Sequence, residues 1–300
     1  MDMTQNKCCR HGASLRRRRR RCRKILRSII FSCSIIAVAV FVAVGSSMIR
    51  SGDGRTNRYD VEAGNNTYDN AVIENSKISG KNKIQNNQSM LDDIMNSTQY
   101  PKQLKDLALK NEEALEFVYD YPAEHVKEHT IDLTEEASMD SVPLFVQWDK
   151  RWGYEKYSGN FFAASGCGPT TLSMVVVYLT HNREASPIAV AKYSKEAGYS
   201  VDGSGSSWTL ISEGCMHYGV KAKTVALDES RMKAELDEGH PIVVNVGPGD
   251  FTDTGHFMVI TGYDDEGFSI NDPNSIEKSG KRWLFRNISS QIRAVWSMYV

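Results

Sequence analysis

Cys167 lies in Ser165-Gly166-Cys167-Gly168-Pro169-Thr170-Thr171, followed at once by the apolar run Leu172-Ser-Met-Val-Val-Val-Tyr-Leu179. That pattern puts a thiol on the first turn of a buried helix. A helix N-terminus offers unpaired backbone N–H groups and a partial positive charge, both of which favour thiolate over thiol. Pro169 fits the first turn, where its missing N–H costs nothing and its fixed φ suits the helix. The glycines on either side are expected to leave the sulfur uncovered. The competing reading is a small buried hydrophobe under a helix start.

A nucleophilic cysteine needs a base to take its proton and a third group to orient that base. His256 opens the extended run His256-Phe-Met-Val-Ile-Thr-Gly-Tyr263, after the glycine-containing loop 247–255. Asp272 closes the next extended run, Gly267-Phe-Ser-Ile-Asn271, just before Pro273. The turn Asp264-Asp-Glu-Gly267 joins the two strands, so the start of one lies near the end of the other. Taken alone, His256 reads as a structural histidine and Asp272 as a turn residue before proline. Together with Cys167 they form a set. His181 and His217 sit in helical contexts without a paired acid, and His240 precedes a proline in a turn.

The elements that must position these groups divide into helices followed by strands. After the Cys167 helix, helical periodicity covers Pro187 to Ala197 and Ser207 to His217, each ended by a glycine, and then Leu227 to Glu238. Extended segments follow at 241–246, 256–263, 267–271 and 293–299. Helices first and antiparallel strands second predict an α+β domain. Upstream, Leu104, Leu107, Ala108, Leu115 and Val118 recur at helical spacing up to Tyr121-Pro122, which predicts an amphipathic helix docked on that domain. Residues 50–100 are rich in Asn, Ser, Gly and Asp, the composition of a flexible stalk.

Residues 1–27 carry eleven Lys or Arg against one acid, Asp2, so the remainder of this chain of net charge −1 is acidic. From Ser28 to Ile49 there is no charged residue, a length that can span a bilayer core. Cations before the span and only Arg50 directly after it predict a cytoplasmic tail (1–27), a transmembrane helix (28–49) and everything beyond it outside the cell. A cleaved signal peptide is the rival, because Ala43-Val-Gly45 loosely resembles a cleavage site. The basic run lacks interleaved aromatic residues, so nucleic acid is not the expected partner. Of six cysteines only Cys167 and Cys215 fall in the external part. A disulfide between them is the structural rival to catalysis. Cys8-Cys9 and Cys215-Met-His217 lack metal-site spacing, and no metal or other cofactor is expected.

Four separated motifs occur in order: Val142-Pro143-Leu144 with Gln147-Trp148-Asp149 and Trp152-Gly153, then Ser165 to Leu172, then Gly255 to Tyr263, then Asn271-Asp272-Pro273. In these the chain resembles the papain-like cysteine peptidases related to the bacteriocin-processing double-glycine peptidases, the C39-like group. The resemblance implies a papain-like fold over residues 139–300, preceded by a helical segment at 101–138. It implies Cys167 as nucleophile, His256 as base and acid, and Asp272 as orienter. Gln147 would supply the oxyanion donor together with the Cys167 backbone N–H, although it stands further before the cysteine than in transporter-fused members. The expected function is a membrane-anchored, externally facing peptidase acting on a peptide or protein substrate. The alternatives are an amidase or transpeptidase on cell-wall peptides using the same triad, and a catalytically silent binding domain.

Overall fold

The computed structural model describes residues 83–300. The basic tail, the span at 28–49 and the stalk as far as residue 82 lie outside the described residues. Among the described residues no helix is long and apolar enough to cross a membrane.

The core is a six-stranded antiparallel sheet in the order β5-β10-β6-β7-β8-β9, with β5 at Lys221–Thr224, β6 at Ile242–Val246, β7 at His256–Asp264, β8 at Gly267–Asn271, β9 at Arg282–Trp283 and β10 at Ile292–Tyr299. Two hairpins of two-residue strands lie outside it, β1 (Lys156–Tyr157) with β2 (Asn160–Phe161), and β3 (Ser200–Val201) with β4 (Gly205–Ser206). The longer helices are α1 (83–96), α2 (Lys102–Lys110), α3 (Cys167–Thr180), α4 (Pro187–Glu196) and α5 (Glu229–Asp237). This is the α+β arrangement with an antiparallel sheet that the sequence predicts.

The sheet is covered on both faces, which is why all five residues of β6 are buried. Strand alternation sends Val243, Phe257, Val259, Trp296 and Met298 to one core, shared with α3. Ile242, Val244, Val246, Met258 and Ile260 go to the opposite core with Met232 of α5, Phe251 and Ile288. Helix α3 carries buried side chains nearly all round, from Thr170 to Val177, as expected of a helix packed in the interior rather than on the surface.

The β7–β8 connection is a two-residue turn, Asp265-Glu266, closed by Gly267 at φ +135°. A Cβ there would lie 2.6 Å from the Trp283 carbonyl oxygen, so only glycine lets β8 reach β9. That tight turn pairs Asp264 with Gly267 and carries the register to Val259 opposite Asn271, with one irregularity between Ile260 and Gly262.

Several expectations need correction. The stalk does not extend to residue 100, because 83–96 is helical and Ile94 is fully buried against Leu104, Leu107, Leu115 and Phe117. Scattered single hydrophobes concealed that helix in the sequence. The segment after Pro101 is not one helix. Asn111 breaks it with extended φ and ψ, its side chain accepting from the Glu113 N–H, and a 3-10 turn (Glu112–Ala114) and a short helix (Leu115–Tyr119) follow. The segment Ser207 to His217 likewise splits into Thr209–Ser212 and a 3-10 turn, Gly214–Tyr218.

Leu172 is fully buried in the core beneath α3. Leu172→Ala should destabilise the purified chain by about 3 kcal/mol, measured by denaturant unfolding followed by circular dichroism. A loss near zero would mean that this core is loosely packed.

Candidate active site

Helix α3 begins at Cys167 with Gly166 as its cap residue and no capping side chain. The first-turn amides therefore stay available to the sulfur and to anything bound beside it. The flanking glycines have a different role from the one expected. A Cβ on Gly166 would lie 2.5 Å from the Phe162 ring, and one on Gly168 would lie 2.5 Å from Ser206 Oγ. They permit close packing of neighbouring segments around the helix start. Cys167 nevertheless remains partly exposed.

His256, the first residue of β7, and Asp272, the first after β8, are brought together by the short hairpin. His256 Nε2 and Asp272 Oδ1 are 2.7 Å apart, with His256 6% exposed and Asp272 fully buried. Asp272 Oδ1 also accepts from the Asn274 N–H at 2.8 Å, while Oδ2 has no partner. With Nε2 turned to the aspartate, Nδ1 is left for the thiol, and Cys167 and His256 are near enough for each to shift the other's titration.

Burial opposes a charge on either member of that pair. For Cys167 it works against the thiolate, but the His256 hydrogen bond and charge, with backbone N–H groups of Phe257 and Gly168, hold the thiol below its usual value. Burial likewise disfavours imidazolium, yet the Asp272 charge and hydrogen bond, together with Cys167, raise His256 to about 10. Both shifts act in the direction of a thiolate–imidazolium pair. Cys215 is the contrast: it is fully buried and apolar-packed, and burial pushes its thiol up to about 11. Both cysteines are free, so no disulfide joins them.

Gln147 reaches the same place from a distant part of the chain. Its backbone N–H donates to Pro273 O at 2.7 Å, and its side-chain Nε2 donates to Ala163 O at 2.7 Å, four residues before Cys167. One residue thus ties the Asp272 turn to the approach to α3. Its Oε1 has no partner. The folding back that this requires is accomplished by a turn at 149–153 and the β1–β2 hairpin.

Sequence reasoning gave no role to Thr171 or Asn245. Thr171 Oγ1 donates to Phe257 O at 3.1 Å, which fixes α3 against β7 one residue from His256. Asn245 Nδ2 donates to His256 O at 3.2 Å from the neighbouring strand. Thr171 stands one helical turn after Cys167, and a buried threonine at that spacing was the available signal. The other histidines are engaged elsewhere: His181 with Ala137 O, His217 stacked on Tyr193, and His240 with Glu235. Trp208 meets Trp296 with ring centroids 6.0 Å apart and lines a groove with Val225, Leu227 and Val295. The glycine loop packs on the start of α3 through Ser206, whose Oγ lies 2.6 Å from Tyr157 OH. Among the described residues no cluster of His, Cys, Asp and Glu could hold a metal ion.

Comparison with known proteins matches residues 139–300 to the model of the Peptidase_C39 like family. Similar solved structures include the peptidase domain of Streptococcus ComA, a bifunctional ABC transporter involved in a quorum-sensing pathway. It is 20% identical with a TM-score of 0.39, over 53% of this chain and 96% of that one. Another is a putative C39-like peptidase from Bacillus anthracis, 16% identical with a TM-score of 0.33, over 53% of this chain and 95% of that one. No curated protein matches.

Because the Cys167 thiol is held below its usual value while burial raises that of Cys215, iodoacetamide at pH 6 should alkylate Cys167 at least about 100-fold faster than Cys215. Peptide mapping by mass spectrometry of the folded chain measures both rates at once. His256→Ala should slow the Cys167 reaction at that pH, since the cation that holds the thiolate is gone.

Proposed function

Since the chain belongs to the Peptidase_C39 like family, we propose that it is a cysteine peptidase working through Cys167, His256 and Asp272. The observation that carries this reading is the buried 2.7 Å bond between His256 and Asp272, on the far side of an imidazole whose other face serves a helix-start thiol. Such an arrangement suits acyl transfer. The Cys167 thiolate attacks a peptide carbonyl carbon, and the carbonyl electrons move to oxygen. The oxyanion is received by the Cys167 N–H and by Gln147 Nε2, whose hydrogens go to Ala163 O at 2.7 Å and to Asn274 Oδ1 at 3.4 Å, the longer bond giving way to the oxyanion. His256 then passes its proton to the leaving amine as the C–N bond breaks, leaving a thioester on Cys167. A water molecule, deprotonated by His256, attacks the thioester and restores the thiolate–imidazolium pair. Asp272 keeps the imidazole oriented and stabilises its cationic form throughout.

Cys167, His256 and Asp272 act as one proton-transfer unit, so the effects of substituting them should not add. Cys167→Ala and His256→Ala should each abolish hydrolysis of a peptide mixture by the purified full chain, and the double variant should lose little more than either alone. Asp272→Asn should keep a residual rate, because an amide oxygen can still accept the imidazole N–H, whereas Asp272→Ala should be worse. Gln147→Ala should cost roughly 10²-fold, the usual size for one oxyanion donor. A folded His256→Ala variant with unchanged turnover would remove the basis of the reading.

We further propose that residues 28–49 anchor the chain in a membrane and that the peptidase domain faces outside. The support is the uncharged 22-residue stretch behind eleven cations. Protease added to intact cells should then digest the domain. Survival of the domain until lysis, while an external control protein is cut, would reverse the orientation.

A further inference from the structure

Asn111 and Glu113 precede the residues matched by the family model, yet both reach the turn that carries Asp272. Glu113 Oε1 accepts from Ser275 Oγ, and Oε2 accepts from the N–H groups of Ile276 and Glu277 at 2.7 and 3.1 Å. Asn111 Nδ2 donates to Asn274 O at 2.9 Å and Asn274 Oδ1 at 3.1 Å. We propose that Glu113, assisted by Asn111, is a positioning residue for Asp272, holding the 272–277 turn so that the carboxylate meets His256.

This rests on the reading of Cys167, His256 and Asp272 as a triad, and it adds a requirement from outside the matched domain. Asp272 follows the last residue of β8 and so has no strand partner beyond it. Its own N–H and C=O are held within the turn, by Ser279 Oγ and the Ser275 N–H. Side chains and backbone from upstream segments fix the turn to the rest of the protein. Gln147 N–H binds Pro273 O, Trp148 Nε1 and Asn111 Nδ2 share Asn274 O, and Glu113 takes the donors at 275–277. A carboxylate suits the three donors at 275–277, because it offers two charged acceptor oxygens where an amide offers one neutral one.

Glu113 is itself rigidly mounted. Its N–H is bound by Asn111 Oδ1, and the adjoining Ala114, Leu115, Phe117 and Val118 are buried in a cluster that includes Phe161 and Ala163. Ala163 is the residue whose carbonyl holds Gln147. The same helical arm therefore braces the approach to Cys167 on one side and the Asp272 turn on the other. The charged groups that face His256 are Asp272 and Cys167. Glu113 reaches that pair through the turn, since its oxygens are taken by residues 275–277.

The test uses the full chain and iodoacetamide, with the rate of Cys167 alkylation followed by mass spectrometry from pH 4 to 10. Loosening Asp272 weakens the imidazolium and with it the thiolate, so the acid limb of the profile moves to higher pH. Glu113→Ala should slow the reaction at pH 6 by about 10-fold or more, Glu113→Gln, which keeps one of the two acceptor oxygens, should fall between that variant and wild type, and Asn111→Ala should shift the limb in the same direction by less than Glu113→Ala. A folded Glu113→Ala chain with a lower melting temperature but an unmoved profile would reduce Glu113 to a structural link and overturn the proposal. If that variant does not fold, an unmoved profile in Asn111→Ala overturns it. A wild-type Cys167 that reacts no faster than Cys215 at pH 6 would defeat the triad reading, and this proposal with it. A fast wild type with unmoved variants would defeat the proposal alone.

Discussion

Placing a cationic imidazole in a site only 6% exposed is unfavourable unless a carboxylate stands against it, and Asp272 meets that requirement. The rest of the architecture follows from keeping the two together. The carboxylate is itself fully buried, so it must be delivered by a segment that satisfies its own backbone groups within a few residues. The two-residue turn after β7 returns the chain along the same strand, so that the acid lands beside the base. Gln147, Trp148, Asn111 and Glu113 then hold the turn through Pro273, Asn274 and residues 275–277. A charge on Cys167 benefits in turn, because an imidazolium held in place beside it offsets the cost of burial.

Local signals made the chemistry legible in the sequence. Cys167 could be placed at a helix start because Pro169 and the apolar run after it allow little else, and His256 and Asp272 became neighbours through one short hairpin. Strands β6, β7, β8 and β10 were visible because each is long and apolar enough to be read by composition. The hidden parts depend on contacts far apart in sequence. β5 and β9 are edge strands of polar residues, Lys221-Ala-Lys-Thr224 and Arg282-Trp283, whose extended state is imposed by pairing with β10 and β8. Propensity in those segments is weak, and tertiary pairing overrides it.

Glycines show how a correct location can carry a mistaken reason. Gly166 and Gly168 flank the sulfur, and the sequence explains them by access. Their absent side chains instead make room for Phe162 and Ser206. Helix α1 makes the converse point: 83–96 is rich in Asn and Gln, yet its few apolar residues, with Ile94 fully buried, pack on α2 and the segment around Phe117. A polar composition argues against an independent core; it does not argue against a helix that completes someone else's.

Cys167 and His256 belong to different layers, the one to a helix and the other to a sheet. The acid shares the sheet with the base. Thr171 binds Phe257 O across that boundary, close to both reacting groups. A sliding of the helix along the sheet would therefore part sulfur from imidazole while leaving imidazole and carboxylate bonded. The contact at Thr171 is therefore what keeps the two layers in step, and the distance from sulfur to imidazole is a gauge of interlayer alignment.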